Sequence, residues 1–249
     1  MKVVVDIGNT TIAIGLSKNG IDINQVYRIN TEKNKSIDEY SFILRNFIPE
    51  CSEAIVSSVV PELNEVFRQF FIDYCDVTPL FLGNGVKTGI QINADNPKEV
   101  GSDLIGNCVG ATNLYNDTCL IIDLGTATTF TYVEKKILKG VIISTGLTTS
   151  KNALINKASL LSQIELVKPK KLLGTNSTDS IKSGLIYGHA SMIDGMISRI
   201  KADVKNPDLS VILTGGHSKT VYPLCNETMI LDRTLILKAL LILLKKNEF

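Results

Sequence analysis

The sequence has no surplus of charge of either sign: 26 lysines and arginines face 25 aspartates and glutamates, a net charge of +1. Without a positive surplus, neither nucleic acid nor an anionic membrane surface is an expected partner. Cysteine is scarce and unpatterned. Its five occurrences, Cys51, Cys75, Cys108, Cys119 and Cys225, form no C-x-x-C pair. That argues against a disulfide framework and a zinc site, and for reduced thiols in a cytoplasm. No basic region followed by an apolar stretch stands at the start, because Lys2 and Asp6 bracket only three valines, so a signal peptide is not expected. An apolar run of the roughly 18–20 residues that a bilayer demands is also missing. The most apolar segment, TLILKALLILLKK near the C-terminus, is shorter, carries Lys238 and reads as a buried helix. The phosphate-binding pattern G-x-x-x-x-G-K-[ST] is absent, since GNGVKTG at Gly83–Gly89 has the wrong spacing, and no G-x-G-x-x-G follows the first strand. His189 and His217 are the only histidines and have neither G-x-S-x-G nor H-E-x-x-H company, which leaves hydrolase and zinc readings without support.

What is present is a chain of 249 residues, 44% of them hydrophobic, enough for one large domain or two of about 100–150 residues. KVVVDIG and TIAIGLSKNG read as strands joined at the turn running from Asp6 to Thr10, with Asn19-Gly20 as a further turn. SIDEYSFILRNFI follows with a helical face, then the strand EAIVSSVV, the helix PELNEVFRQFFIDY opened by Pro61, and the strand TPLFLG. Strand and helix alternate, which predicts an α/β architecture. The second half begins TCLIIDLGTATTFTYVEKKILKGVIIS, again strand, turn, strand, with a third strand after Lys139-Gly140. Helical segments around Ser150–Leu161 and Ser177–Ile200, the strand SVILTGG and a last helix complete it. Both halves repeat an order of elements, and the polar pair Asn116-Asp117 places the boundary between domains 1–116 and 117–249.

The halves also repeat a motif. DIGNTT places Asp6 at the end of an apolar strand, and DLGTATT does the same with Asp123. A carboxylate there must be solvated, hydrogen-bonded or bound to a cation, because a bare buried charge is costly. Glycine two residues on lets backbone N–H groups approach an anion without a Cβ in the way. Asn9, Thr10 and Thr11 in one copy, and Thr126, Thr128 and Thr129 in the other, add donors. Such a turn can hold phosphates while its Asp holds the accompanying cation. Asp103, in NPKEVGSDLIGN, lies between the Asn96-Pro97 turn and a helix, where it is either a carboxylate aimed into a cleft or the helix N-cap.

The duplicated D-x-G-[TN]-T turns and the late T-G-G resemble the fold shared by actin, sugar and acetate kinases and the heat-shock chaperone ATPases. That resemblance implies two ribonuclease H-like domains with ATP in the cleft between them. Within that superfamily, DIGNTT, DNPKEVGSD, DLGTATT, GTNSTDSIKSG and ILTGG, in this order, resemble the type III pantothenate kinases over nearly the whole chain. The resemblance implies a cytoplasmic homodimer that uses ATP and magnesium to convert pantothenate to 4′-phosphopantothenate, the first step toward coenzyme A. It implies that Asp103 is the proton acceptor, with Gly101, Ser102, Asp103, Leu104 and Ser177 on the acceptor substrate. It assigns Asp6, Ile7, Gly8, Asn9, Thr10, Thr11, Ile12 and Ala13 to the ATP phosphates, with Asp6 near magnesium. Asp123 becomes the ligand of a monovalent cation, potassium or ammonium, and Thr126 an ATP contact. Gly215 and Gly216 come close to the adenosine, with His217 beside them. The chain departs from the family pattern on the acceptor side, with Leu104 where Arg is usual, Ala94 where Tyr is frequent and Thr145 for a proline. Those departures keep two alternatives open: a nucleotide-binding regulator of the Bvg accessory factor type without catalysis, and a kinase of another small alcohol.

Overall fold

The computed structural model describes residues 1–83, 85–155 and 164–247. The chain divides into two compact units. The first comprises Met1–Tyr115, Lys136–Leu138 and Thr234–Phe249. Its strands β1 (Lys2–Ile7), β2 (Thr11–Ser17), β3 (Gln25–Asn30), β4 (Glu53–Ser58) and β5 (Leu80–Phe81) form one sheet in the order β3-β2-β1-β4-β5. β1 runs antiparallel to β2 and parallel to β4. The three consecutive valines explain the central place of β1: Val3, Val4 and Val5 are all fully buried, as expected of a strand covered on both faces. Alternate side chains point to opposite faces of a strand. Val3, Val5 and Ile7 join Tyr40, Phe67, Phe70 and Phe71 in one cluster, while Val4 joins Ile55, Val109 and the leucines near the C-terminus in another.

Helices α1 (Ile37–Leu44) and α2 (Asn64–Cys75) supply the first cluster. Ser36 and Glu39 close α1 with a capping box, and Pro61 opens a short 3-10 turn before α2. The second cluster is built by α3 (Ser102–Leu114) and α7 (Leu235–Lys246), the apolar segment read as a buried helix, whose Leu237, Leu240, Leu241 and Leu244 are buried. Gly110 lets α3 approach this helix closely, because a Cβ there would lie 2.9 Å from the Leu235 carbonyl oxygen. A two-residue strand β6 (Gln91–Ile92) pairs in parallel with Ile137–Leu138. Among the described residues no helix is long and apolar enough to cross a membrane.

The second unit comprises Asn116–Lys135 and Lys139–Arg233. Its strands β7 (Cys119–Leu124), β8 (Ala127–Glu134), β9 (Ile137–Thr145, which belongs to this unit from Lys139 on), β10 (Ser210–Thr214) and β11 (Ile230–Leu231) are ordered β11-β10-β7-β8-β9. β7 pairs antiparallel with β8 and parallel with β10, which pairs parallel with β11. Read from β9, this is the strand order of the first unit, with β7 in the place of β1. Helices α4 (Leu147–Ile155), α5 (Ser177–Asp203) and α6 (Ser218–Val221) accompany it. Its core gathers Leu120, Ile122 and Leu124 with Leu185, Ile186, Ile193 and Ile197 of α5.

Three sequence expectations shift. The turn before β9 falls at Lys135-Lys136, both with positive φ (50° and 63°), and not at Lys139-Gly140, which lie within the strand. Two left-handed residues make a two-residue hairpin loop whose twist suits the flanking strands. The expected domain of residues 117–249 differs in extent from the second unit, because α7 packs its leucines on β1, β4 and α3. The helix expected around Ser150–Leu161 begins at Leu147, and residues 156–161 lie outside the described residues.

Candidate active site

In the first unit, β1 and β4 end side by side, with Asp6 paired with Ser57 and Ile7 with Ser58. The turn between β1 and β2 is fixed from both sides. Gly8 N–H donates to the Thr11 carbonyl at 3.0 Å, and Thr31 donates its N–H to the Thr10 carbonyl (3.0 Å) and its hydroxyl to the Gly8 carbonyl (2.6 Å). Asp6 and Gly8 are half-buried, while Asn9, Thr10 and Thr11 are exposed. Ile7, Ile12 and Ala13 face the core, so the tip from Gly8 to Thr11 is the part of this segment open to a ligand.

Asp103 is the second residue of α3, and Gly101, which caps the helix without a side chain, precedes it by two. Its half-buried carboxylate accepts from the Leu104 N–H at 2.8 Å and folds over Gly101, where any Cβ would overlap Oδ1. Burial raises the Asp103 pKa above the ordinary carboxylate range, opposed by the N–H groups of Leu104 and of Asp103 itself. A carboxylate made more basic in this way suits proton acceptance. Ser102 joins α3 to the end of β4: its Oγ lies 3.2 Å from Ser57 Oγ and donates to the Ser58 carbonyl at 2.9 Å. One strand pairing and one hydrogen bond therefore link the Asp6 turn to the residue before Asp103. Leu104 is half-buried beside it, and Ala94 is exposed in the segment before α3.

The second unit repeats the arrangement. Asp123 pairs with Thr129 of β8 and with Thr214 of β10, and Gly125 N–H donates to the Ala127 carbonyl at 3.0 Å. Gly215 follows β10 with φ +96°, and a Cβ there would overlap the Leu124 nitrogen and come within 2.5 Å of Asp123 Oδ1. The Asp123 carboxylate thus rests against a backbone that only glycine provides. Thr126 is exposed; its carbonyl accepts from Gly146 N–H (3.2 Å) and from the Thr149 hydroxyl (2.7 Å). Asp123, Thr126 and Gly215 are brought together, with Gly216 exposed beside them. Thr145 ends β9, its hydroxyl accepting from Ser150 at 3.0 Å, and Ser177 is exposed in the first turn of α5 next to its N-cap Asn176.

Both histidines have threonine partners distant in the sequence. His217 lies next to Gly216, donates its N–H to the Leu124 carbonyl at 3.3 Å, and pairs through Nε2 with Thr148 Oγ1 at 2.8 Å. His189 is buried and pairs through Nε2 with Thr128 Oγ1 at 2.8 Å. Burial lowers the pKa of both imidazoles, to about 4 for His189, with His217 adding to the effect on His189 and Lys151 to that on His217. The signal available was the alternation along β8, which turns Thr128 inward as it does Phe130.

No group of three or more His, Cys, Asp or Glu side chains is gathered among the described residues. Asp6 and Asp123 each head their own turn, so every side-chain ligand on offer is oxygen, and few come from the protein. That donor set fits a hard cation that keeps water and phosphate oxygens as its other ligands.

Residues 2–199 match the family described as type III pantothenate kinase. The chain belongs to this family. A type III pantothenate kinase from Acholeplasma laidlawii is 41% identical over 249 residues, covering 99% of both chains, and one from Halalkalibacterium halodurans is 38% identical over 255 residues, covering 99% and 100%. Among solved structures, a Baf family transcriptional activator from Campylobacter jejuni superposes with a TM-score of 0.60 at 17% identity, covering 98% of both chains. The activator of a 2-hydroxyisocaproyl-CoA dehydratase from Clostridium difficile, with bound ADPNP, does so with a TM-score of 0.58 at 14% identity, covering 98% and 94%. At such identities the likeness is one of fold, the actin-like ATPase fold of duplicated ribonuclease H-like domains, in keeping with the repeated strand order.

Proposed function

We infer that this chain transfers a phosphoryl group from ATP to pantothenate, giving ADP and 4′-phosphopantothenate, the first step of coenzyme A synthesis. The observation that carries this reading is identity of 41% along the whole length of a type III pantothenate kinase, joined to a half-buried carboxylate at Asp103 tied to the end of the Asp6 strand pair. Phosphoryl transfer to an alcohol calls for positioned phosphates, charge neutralisation and a base that takes the hydroxyl proton. In this reading Asp103 orients the acceptor hydroxyl and receives its proton; its raised pKa supports that role. In the first unit the Gly8–Thr11 tip is assigned to the ATP phosphates and the Gly101–Leu104 segment to the acceptor; in the second, the family resemblance assigns Thr126, Gly215 and Gly216 to the nucleotide and Ser177 to the acceptor. Asp6 is assigned to magnesium and Asp123 to potassium or ammonium; when bound, these ions offset the charge on the phosphates. A homodimer belongs to the same reading, carried by the family resemblance. So does a cytoplasmic location, supported by five free cysteines.

Incubation with ATP, magnesium, potassium and pantothenate, followed by mass spectrometry of the products, tests it. Formation of 4′-phosphopantothenate is expected. ATP binding without that product, or faster phosphorylation of another alcohol, would transfer the assignment to a regulator or to a kinase of a different acceptor, the direction in which Leu104 in place of a cation points.

A further inference from the structure

A serine hydroxyl has one proton to donate and two lone pairs to accept with. Those of Ser102 are all occupied within the protein. Its proton goes to the Ser58 carbonyl at 2.9 Å, and its lone pairs take the Ser58 N–H at 3.1 Å and the hydroxyl of Ser57 at 3.2 Å. Ser57 is fully buried and is the strand neighbour of Asp6. Just beyond Ser58, the Val59 N–H donates to the Ile7 carbonyl at 3.0 Å, so the segment that Ser102 grips is itself fastened to the residue after Asp6. On the other side, Ser102 is the first residue of α3 and Asp103 the second.

We propose that Ser102 is a positioning residue, a latch whose hydroxyl sets the first turn of α3, and with it the Asp103 carboxylate, against the β4 end that also carries the partner of Asp6. The inference rests on the reading of Asp103 as the proton acceptor, and it removes the Ser102 hydroxyl from the substrate contacts, leaving only its backbone to face an acceptor. Breaking the latch frees the helix start to shift by a fraction of an ångström, which hurts the transition state more than substrate binding.

The test compares Ser102→Ala, Ser102→Thr and Ser57→Ala with the unaltered protein in steady-state turnover, together with carbon-13 NMR titration of the Asp103 carboxyl. Ser102→Ala is expected to lower kcat about ten- to a hundredfold with KM for pantothenate unchanged. Ser57→Ala should lose less, and Ser102→Thr, which keeps the hydroxyl, should recover most of the rate. The Asp103 titration midpoint should fall in Ser102→Ala as its carboxylate gains water. A raised KM at unchanged kcat would make the hydroxyl a substrate ligand, and a lowered melting temperature with kinetics and titration unmoved would make it a purely structural group; either result overturns the proposal. If the unaltered protein fails to phosphorylate pantothenate, the functional reading falls separately. The NMR titration then decides the latch: a lowered midpoint upholds it, an unchanged one sinks it.

Discussion

The two glycines that follow β10 should respond very differently to the same added methyl group. At Gly215 the backbone φ is +96°, and a Cβ would overlap the Leu124 nitrogen, lie 2.7 Å from the Leu124 carbonyl carbon and press on Asp123 Oδ1 at 2.5 Å. Holding an L-residue in the left-handed region costs about 1–2 kcal/mol, and forcing a group into packed surroundings costs about 1–3 kcal/mol more. Most of the obstructing atoms are backbone, which cannot rotate aside, so Gly215→Ala should lose roughly 2–5 kcal/mol. At Gly216 nothing lies within 4 Å and no positive φ is involved, so Gly216→Ala should stay within about 0.5 kcal/mol of the parent. Urea unfolding followed by circular dichroism measures both, and titration with ATP measures the consequence for the site. Gly215→Ala should also weaken nucleotide binding by displacing the Asp123 carboxylate, whereas any effect of Gly216→Ala should be on nucleotide binding alone. Equal stability of the two variants would refute the argument that Asp123 is seated on the Gly215 backbone.

Acid should destabilise the fold through His189. Its folded pKa is about 4 against an ordinary 6.5, so the unfolded chain takes up the proton first and stability falls as pH drops from about 6.5 to about 4, by at most about 3 kcal/mol. His189→Gln should flatten that part of the stability profile in urea titrations between pH 7 and pH 4; an unchanged slope would rule His189 out. Thr31→Val removes the 2.6 Å bond to the Gly8 carbonyl and should cost about 1 kcal/mol while raising KM for ATP. A stability loss with KM for ATP unmoved would show that the Gly8 turn is not the phosphate contact. The acid limb of kcat should lie above the ordinary carboxylate range, because burial raises Asp103 and a protonated base cannot accept; a limb at ordinary carboxylate values would separate it from Asp103.

Much of this was legible because the informative patterns are local. Three valines followed by Asp6 announce a buried central strand with a charged end, and Cys119–Asp123 announces it again; the shared strand order of the two units follows from that repetition. What stayed hidden depends on pairings between distant residues. The Ser57–Ser102 and Thr128–His189 bonds require the start of α3 to pack on the end of β4 and α5 to take one rotation about its axis, and neither is written in any one stretch of sequence. The membership of α7 is of the same kind, since its leucines would suit any apolar surface and only packing selects Val4, Ile55 and Val109. The Lys135-Lys136 turn was masked by a commoner signal, the Lys-Gly pair four residues on.

ADP release by purified protein with ATP, magnesium and potassium, with and without pantothenate, beside Asp103→Asn, measures both the reaction and the role of its proposed base. Turnover should depend on pantothenate and fall by about 10²–10⁴ in the variant at unchanged circular dichroism. Pantothenate-dependent turnover that survives Asp103→Asn would contradict the role given to Asp103, and no dependence on pantothenate would contradict the function.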